Sequence, residues 1–235
     1  WIHVLLLFII FCMFSPSTHR KTSTQDLLSA IKNKDLSQVR DLLKKNRVNV
    51  NEITSSGNTP LLLAVEHGDL PIVQLLVESG ADHTARTSSG YTALLLAIKK
   101  QNFPVVEYLI NMGADIKEQT NSGYNSLLLA AYKGDLSIMK LLIDKGANPA
   151  EENIFSEYCI TIASSKGHLE IIKWLVTEKQ CSIFTKNLYG DCFLNASKGK
   201  HVETIVWMMH YLPIDSTKAK KVLEEHDLHD EVEHI

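Results

Sequence analysis

The chain has 235 residues, of which 45% are hydrophobic and 22% charged, a balance that can bury a continuous core and excludes disorder by composition. Its formal net charge is −3, and setting aside Arg20, Lys21 and the acid-rich stretch from Asp215 leaves the middle near neutrality, with no electrostatic footprint for nucleic acid. Cysteines at positions 12, 159, 181 and 192 form no C-x-x-C pair and have no neighbouring histidine at metal spacing, so they read as small buried residues that fit a reducing environment.

The first element is the apolar run WIHVLLLFIIFCMF, residues 1–14, broken only by His3. Trp1, Val4, Leu5, Leu6, Leu7, Phe8, Ile9, Ile10, Phe11 and Phe14 form its membrane-seeking set. The run fits the apolar part of a signal peptide or a short anchor better than a full bilayer span, which needs about 20 residues. Ser15 and Pro16 break it, and His19, Arg20 and Lys21 place positive charge on its C-terminal side, which favours a cytoplasmic or matrix-like side for the rest. A retained anchor, a cleaved targeting segment and a translation artefact stay open, as do residues upstream of Trp1.

Residues 22–214 are expected to form one repeat domain. Within it, residues 24–52 read as a degenerate first unit, with Ala30, Asp35, Leu36, Val39, Leu42 and Leu43 in the register of the later units. Lys32, Lys34, Lys44 and Lys45 suit an end cap with one wet face. The clearest unit is the second. Gly57 and Asn58 supply a turn, Thr59 caps a helix with Pro60 in its first turn, and that helix runs to about His67. Gly68 and Asp69 break the chain, Asp69 caps a second helix with Pro71 in its first turn, and Gly80 closes it.

Leu61, Leu63 and Ala64 are the expected core of the first helix, and Leu70, Ile72, Val73, Leu76 and Val77 that of the second. Neither helix is stable alone, because isolated helices below about 12 residues are marginal in water. The same pattern returns at a period of thirty-three residues: Gly57, Gly90 and Gly123 are so spaced, as are Ala64, Ala97, Ala130, Ala163 and Ala196. A period in this range predicts stacked helical units. The alanines let neighbouring inner helices approach, and a larger residue there overpacks the stack at a cost of about 1–3 kcal/mol.

The stretch GNTPLLLAVEHGDLPIVQLLVESGAD resembles the ankyrin repeat, whose pattern is G-x-T-P-L-H-x-A, then G-H, an apolar second helix and G-A-D. The resemblance implies an all-α solenoid of about six stacked helix-turn-helix units, with projecting finger loops, reached from an apolar N-terminal segment. Departures are plain. Leu62, Leu95, Leu128 and Thr161 stand where the family has histidine, so the polar contacts of that residue are expected to be absent. The Thr-Pro pair decays to Thr92-Ala93, Asn125-Ser126, Tyr158-Cys159 and Asp191-Cys192. The last unit is expected from about Tyr189. Cys159 and Cys192 fall one repeat apart, roughly 10 Å, beyond the ~7 Å Cα reach of a disulfide.

Residues 215–235 read as a final acidic helix or tail. His226 and His229 stand among Glu225, Asp230 and Glu233, but a solvated cap or an acidic contact patch is the expected reading, and no metal is assigned. No phosphate-binding loop, dinucleotide fingerprint, nucleophile elbow or H-E-x-x-H occurs, and His168 stands at the family's own Gly-His position. No cofactor and no catalytic residue is expected.

The resemblance implies protein binding through a concave face made of finger bases, inner helices and finger tips. Asn58, Tyr91 and Tyr124 belong to the bases, Glu66, Lys99, Tyr132 and Ser165 to the inner helices, and Arg86, Ser88, Lys117, Glu118 and Asn121 to the tips. Tyr91, Tyr124 and Tyr132 are the expected anchors, since tyrosine is enriched at interface hot spots. Trp174 and Trp207 share one position of the second helix and are expected to pack, or to form an outer contact site if exposed. The leading expectation is a non-catalytic adaptor. A membrane-anchored accessory subunit, or an ankyrin fragment of a larger enzyme or channel, is the alternative.

Overall fold

A computed structural model describes residues 24–44, 48–54, 57–178, 186–228 and 232. The anchor or targeting reading of residues 1–14 lies outside the described residues, as do Cys12, Lys45, Cys181, His229, Asp230 and Glu233. Thirteen helices and no strand are found among the described residues. They belong to two compact units, one ending at Asp82 and one beginning at His83.

The first unit holds two helical hairpins, α1 (Thr24–Lys32) with α2 (Leu36–Lys44) and α3 (Pro60–His67) with α4 (Leu70–Glu78). α1 packs on α3 and α2 on α4, so each hairpin covers the other's apolar side. The expected boundaries hold at both helices of the second hairpin. The Thr59 side chain accepts from the Leu62 amide, Asp69 from the Ile72 amide, and Pro60 and Pro71 sit in the first turns. Leu61, Leu62, Ala64 and Val65 are buried, whereas Leu63 is only half-buried. At 100° per residue the four buried positions span one arc and Leu63 points to the opposite side, so Leu62 takes the core place expected of Leu63. Leu70 and Val77 lie at the edge of the buried arc of α4 and are half-buried.

The second unit continues with α5 (Ala93–Lys99), α6 (Phe103–Asn111), α7 (Ser126–Lys133), α8 (Leu136–Asp144), α9 (Cys159–Lys166), α10 (Leu169–Thr177), α11 (Lys186–Lys198), α12 (Val202–Tyr211) and α13 (Ser216–Glu225). The inner helices α5, α7, α9 and α11 pack one on the next. Ala97, Ala130, Ala163 and Ala196 are all fully buried, as close inner-helix approach requires. Leu95, Leu128 and Thr161 are buried where the family has histidine. Thr161 nevertheless keeps local polar contacts: its hydroxyl accepts from the Tyr158 amide at 2.9 Å and donates to the Tyr158 carbonyl at 2.9 Å.

Each break between inner and outer helix requires a left-handed residue. Gly68, Gly134 and Gly167 supply it with φ of 72°, 77° and 72°, while Lys34, Gln101 and Lys200 adopt it at 54°, 55° and 56°, at a steric cost glycine avoids. The backbone shape is therefore kept where the glycine is lost.

Two expectations near the C-terminus are corrected. The first helix of the last hairpin begins at Lys186, not near Tyr189 or Cys192, and is 13 residues long. No Thr-Pro pair punctuates it, and Gly190 is not among the residues of positive φ, so the helix runs through the place where earlier units have a turn. The tail helix stops at Glu225, and it is more than a solvated cap. Asp215 caps it by accepting from the Thr217 and Lys218 amides, and Ala219, Leu223 and Leu228 are buried, which closes the exposed side of α11.

Cys159 and Cys192 are buried thiols outside any disulfide, Cys159 donating to the Pro149 carbonyl at 3.3 Å, and burial pushes the Cys192 thiol up to about 12. Trp174 is 5% exposed and packs. Trp207 is half-buried and stacks on Tyr211 with ring centroids 5.2 Å apart.

Candidate protein interface

The finger loops of the second unit are closed by a repeated set of bonds. Thr87, Thr120 and Asn153 donate backbone amides to the carbonyls of Tyr91, Tyr124 and Glu157 at 2.9, 3.0 and 3.1 Å. Their side-chain oxygens in turn accept from the amides of Tyr91, Tyr124 and Glu157 at 3.1, 3.2 and 3.0 Å. Short polar side chains favour such turns because they bond their own backbone a few residues on. The turn fixes the residue that comes after it, and so Tyr91 and Tyr124 are set at the finger bases.

Neighbouring fingers are tied to each other by residues expected at the tips. Arg86 Nη1 donates to the Gln119 carbonyl at 2.7 Å and the Gly90 carbonyl at 3.1 Å, and its guanidinium lies 3.6 Å from Glu118. Asn121 donates Nδ2 to the Ser88 carbonyl at 2.9 Å and its amide to the Ser89 carbonyl at 3.2 Å. A Cβ on Gly90, at φ 81°, would lie 2.6 Å from the Asn121 amide nitrogen; glycine here permits the approach. Arg86, Ser88, Glu118 and Asn121 thus hold the loops in order. Lys117 is exposed, with its amide bonded to Asp115 Oδ1 at 2.8 Å.

The inner helices bring the expected aromatic residues together. Tyr91, Lys99, Thr120, Ser122, Tyr124, Leu129, Tyr132 and Lys133 line one cleft of about 360 Å³. Tyr124 and Tyr132 meet edge to face, centroids 5.8 Å apart, an arrangement their quadrupoles favour. Lys99 Nζ stands 4.5 Å above the Tyr91 ring, and Lys166 Nζ 4.6 Å above the Tyr132 ring. Tyr132 is 38% exposed. The Tyr124 hydroxyl donates to Glu157 Oε2 at 3.2 Å; burial first, then the Glu157 charge, pushes its pKa up to about 12. Tyr124 is therefore the anchored member of the group and Tyr132 the presented one.

Ser165, one repeat on, is half-buried, and its carbonyl accepts from His201 Nε2 at 3.0 Å. The Tyr132 carbonyl accepts from His168 Nε2 at 3.2 Å in the same manner. A carbonyl can only accept, so Nε2 carries the proton in both rings. In the first unit, Asn58 is half-buried with its amide on Thr54 Oγ1 at 3.0 Å, and Glu66 is exposed at the end of α3. Lys133, Lys166, Thr120, Ser122 and Leu129 complete the cleft and its rim beyond the residues expected there. Lys133 and Lys166 stand thirty-three residues apart, one position after Tyr132 and Ser165, and that period is the signal in the sequence that points to them.

Among the described residues, no group of three or more His, Cys, Asp or Glu is placed to hold a metal ion. Nor is any described helix long and apolar enough to cross a membrane.

The family model described as ankyrin repeats (3 copies) matches residues 27–120, and that described as ankyrin repeats (many copies) matches residues 127–176. Among curated proteins, the ankyrin repeat and SAM domain-containing protein 6 of Rattus norvegicus is 37% identical over 67 residues, and that of Mus musculus likewise. The match covers 28% of this chain and 8% of the length of either relative. Period, paired helices, fingers and family models agree: the chain belongs to the ankyrin-repeat family, whose repeats are protein-interaction modules.

Proposed function

We propose that the chain is a non-catalytic recognition module that grips a protein partner along the inner helices and finger bases of its second unit. The observation that carries this reading is the Tyr91, Tyr124 and Tyr132 cleft, where three tyrosines from two fingers and an inner helix converge and Tyr132 stays exposed. Tyrosine offers large amphipathic area with few torsions to freeze, which suits an interface anchor. Lys99 and the exposed part of Ser165 extend the same side; Asn58 and Glu66 are proposed to serve the first unit in the same way. The tie residues Arg86, Ser88, Glu118 and Asn121 act by holding the fingers in place, and Lys117 remains available for direct contact.

The test is affinity capture and crosslinking with the full chain, comparing wild type with Tyr91→Ala, Tyr132→Ala. Loss of about tenfold or more in affinity, equal to 1.4 kcal/mol or more, is expected with unfolding midpoints little changed. Unaltered affinity for every captured partner would remove this face from consideration.

The membrane-anchored alternative rests on the apolar sequence of residues 1–14. Carbonate and high-salt washing of native membranes, with and without that segment, decides it. Pelleting that depends on the segment and resists both washes supports an anchored accessory subunit.

A further inference from the structure

The inner helices of the second unit end in lysine, and the outer helices do not. α5, α7, α9 and α11 carry Lys99, Lys133, Lys166 and Lys198 in their last turns, whereas α6, α8 and α10 have no basic residue there, α8 being followed by Lys145 at its C-cap, and α12 has His210. A helix C-terminus attracts cations, but that cause acts equally on the outer helices, so it does not explain the bias. Lys99 and Lys133 line the tyrosine cleft, and Lys166 lies over the Tyr132 ring.

Their charges are also left available. Among the described residues no carboxylate lies within ion-pair distance of Lys99, Lys133 or Lys166. Glu157, at the cleft through its bond from Tyr124 Oη, also accepts from Asn153 Nδ2 at 2.8 Å, while Glu151 accepts from Asn125 Nδ2 at 3.4 Å and Glu118 faces Arg86. Lys99 and Lys166 are instead held over tyrosine rings, a contact that fixes an ammonium without neutralising it.

We infer that this face binds an acidic, extended segment of a partner protein, with carboxylates on Lys99, Lys133 and Lys166 and an apolar side chain in the cleft beside Leu129 and Tyr132. The inference rests on the interface proposed above and adds the chemistry of its occupant. Packed helices lie about 8–10 Å apart and an extended chain advances about 3.3 Å per residue, so acids spaced roughly three residues apart meet successive lysines. A polyphosphate chain fits less well, because Glu157, bonded to Tyr124 at the cleft, keeps a carboxylate beside it and repels an uninterrupted line of charge.

The experiment is selection of random short peptides on the full chain, followed by anisotropy measurements with the enriched peptides. Acidic peptides with that spacing are expected, losing affinity about tenfold or more, 1.4 kcal/mol per tenfold, when Lys99, Lys133 and Lys166 are changed to Glu. Lys218→Glu with Lys220→Glu, on α13, leaves binding unchanged and serves as the control for net charge. Failure to enrich acidic peptides overturns the inference. So does enrichment of neutral or basic peptides that tolerate the charge reversals but are lost with Tyr91→Ala, Tyr132→Ala, which leaves the interface itself standing. Peptides indifferent to both sets overturn the interface as well. An oligothymidylate probe bound as tightly as the best acidic peptide overturns the assignment to a protein segment.

Discussion

In the hairpins α5/α6 and α7/α8 every helix begins with a side chain that caps it. Thr92, Asn102, Asn125 and Asp135 accept from the amides of Leu95, Val105, Leu128 and Ile138 at 3.5, 3.3, 2.9 and 2.9 Å. In the later hairpins, α9, α10 and α12 begin after Tyr158, His168 and His201, none of which caps with its side chain. His168 and His201 reach back to the Tyr132 and Ser165 carbonyls, on the inner helix of the preceding repeat. One register position can therefore serve its own helix or the joint between two repeats, and the chain changes from the first use to the second after α8. The helix ends of the later hairpins depend on their neighbours.

The largest test of that difference is at Gly134. It has φ 77°, and a Cβ there would meet the His168 ring at 2.6 Å, whereas Gly146, at φ 94°, has nothing within 4 Å. Gly146→Ala bears only the left-handed backbone cost of about 1–2 kcal/mol. Gly134→Ala adds displacement of the imidazole and should cost about 2–4 kcal/mol in equilibrium denaturation. Adding His168→Ala should recover the steric part of the loss. If Gly134→Ala and Gly146→Ala prove equal, the imidazole moves aside freely and the joint contributes little.

Next come the local caps. Asn125 is 5% exposed and bonds the Leu128 amide, so Asn125→Ala should cost about 1–2 kcal/mol. In α9 the Thr161 hydroxyl has taken over part of that work from inside the helix, and Thr161→Val should cost about 1 kcal/mol. A negligible effect of Thr161→Val beside a full effect of Asn125→Ala would mean that α9 is held by burial alone.

His168 gives a smaller and more diagnostic change. His168→Ala removes the bond to the Tyr132 carbonyl and should cost about 1 kcal/mol. His168→Asp also loses that bond but supplies the cap found at Asp135, worth about 1 kcal/mol, and should lie close to wild type. If the aspartate is as costly as the alanine, the joint cannot be exchanged for a cap.

Much of this organisation can be read before any coordinates. The thirty-three-residue recurrence of glycine and alanine predicts the hairpins, and Thr59, Pro60, Asp69 and Pro71 fix boundaries to the residue because each acts through its own nearby backbone. The start of α11 is missed because that punctuation is gone: the register alone places a turn beside Gly190, and a glycine inside a helix lowers stability without having to end it. For the candidate site, Tyr91, Lys99, Tyr124 and Tyr132 share repeat phases and are brought into one cleft. The ties made by Arg86 and Asn121 are not legible, since they end on backbone carbonyls of adjacent fingers whose positions depend on loop shape. The lysine row is periodic, but so are Lys140 and Lys173 on the outer helices, and its meaning depends on knowing which helices carry the cleft.

The smallest expected effect has the opposite sign. Ser126 is fully buried at the first position of α7, and its hydroxyl has no hydrogen-bond partner among the described residues; Pro60, Ala93 and Cys159 occupy the equivalent place. In the later hairpins the buried hydroxyls of Ser164 and Ser197 donate to the carbonyls of Ile160 and Phe193 at 2.7 and 2.9 Å. Ser126→Ala relieves an unpaired buried polar group and should stabilise the protein by about 0.5–1 kcal/mol, while Ser164→Ala and Ser197→Ala should destabilise it by about as much. Differential scanning calorimetry of the three variants checks the signs. A loss of stability at all three would mean that Ser126 contributes through packing volume, and the contrast between the two sets of hairpins would then lie in their helix ends alone.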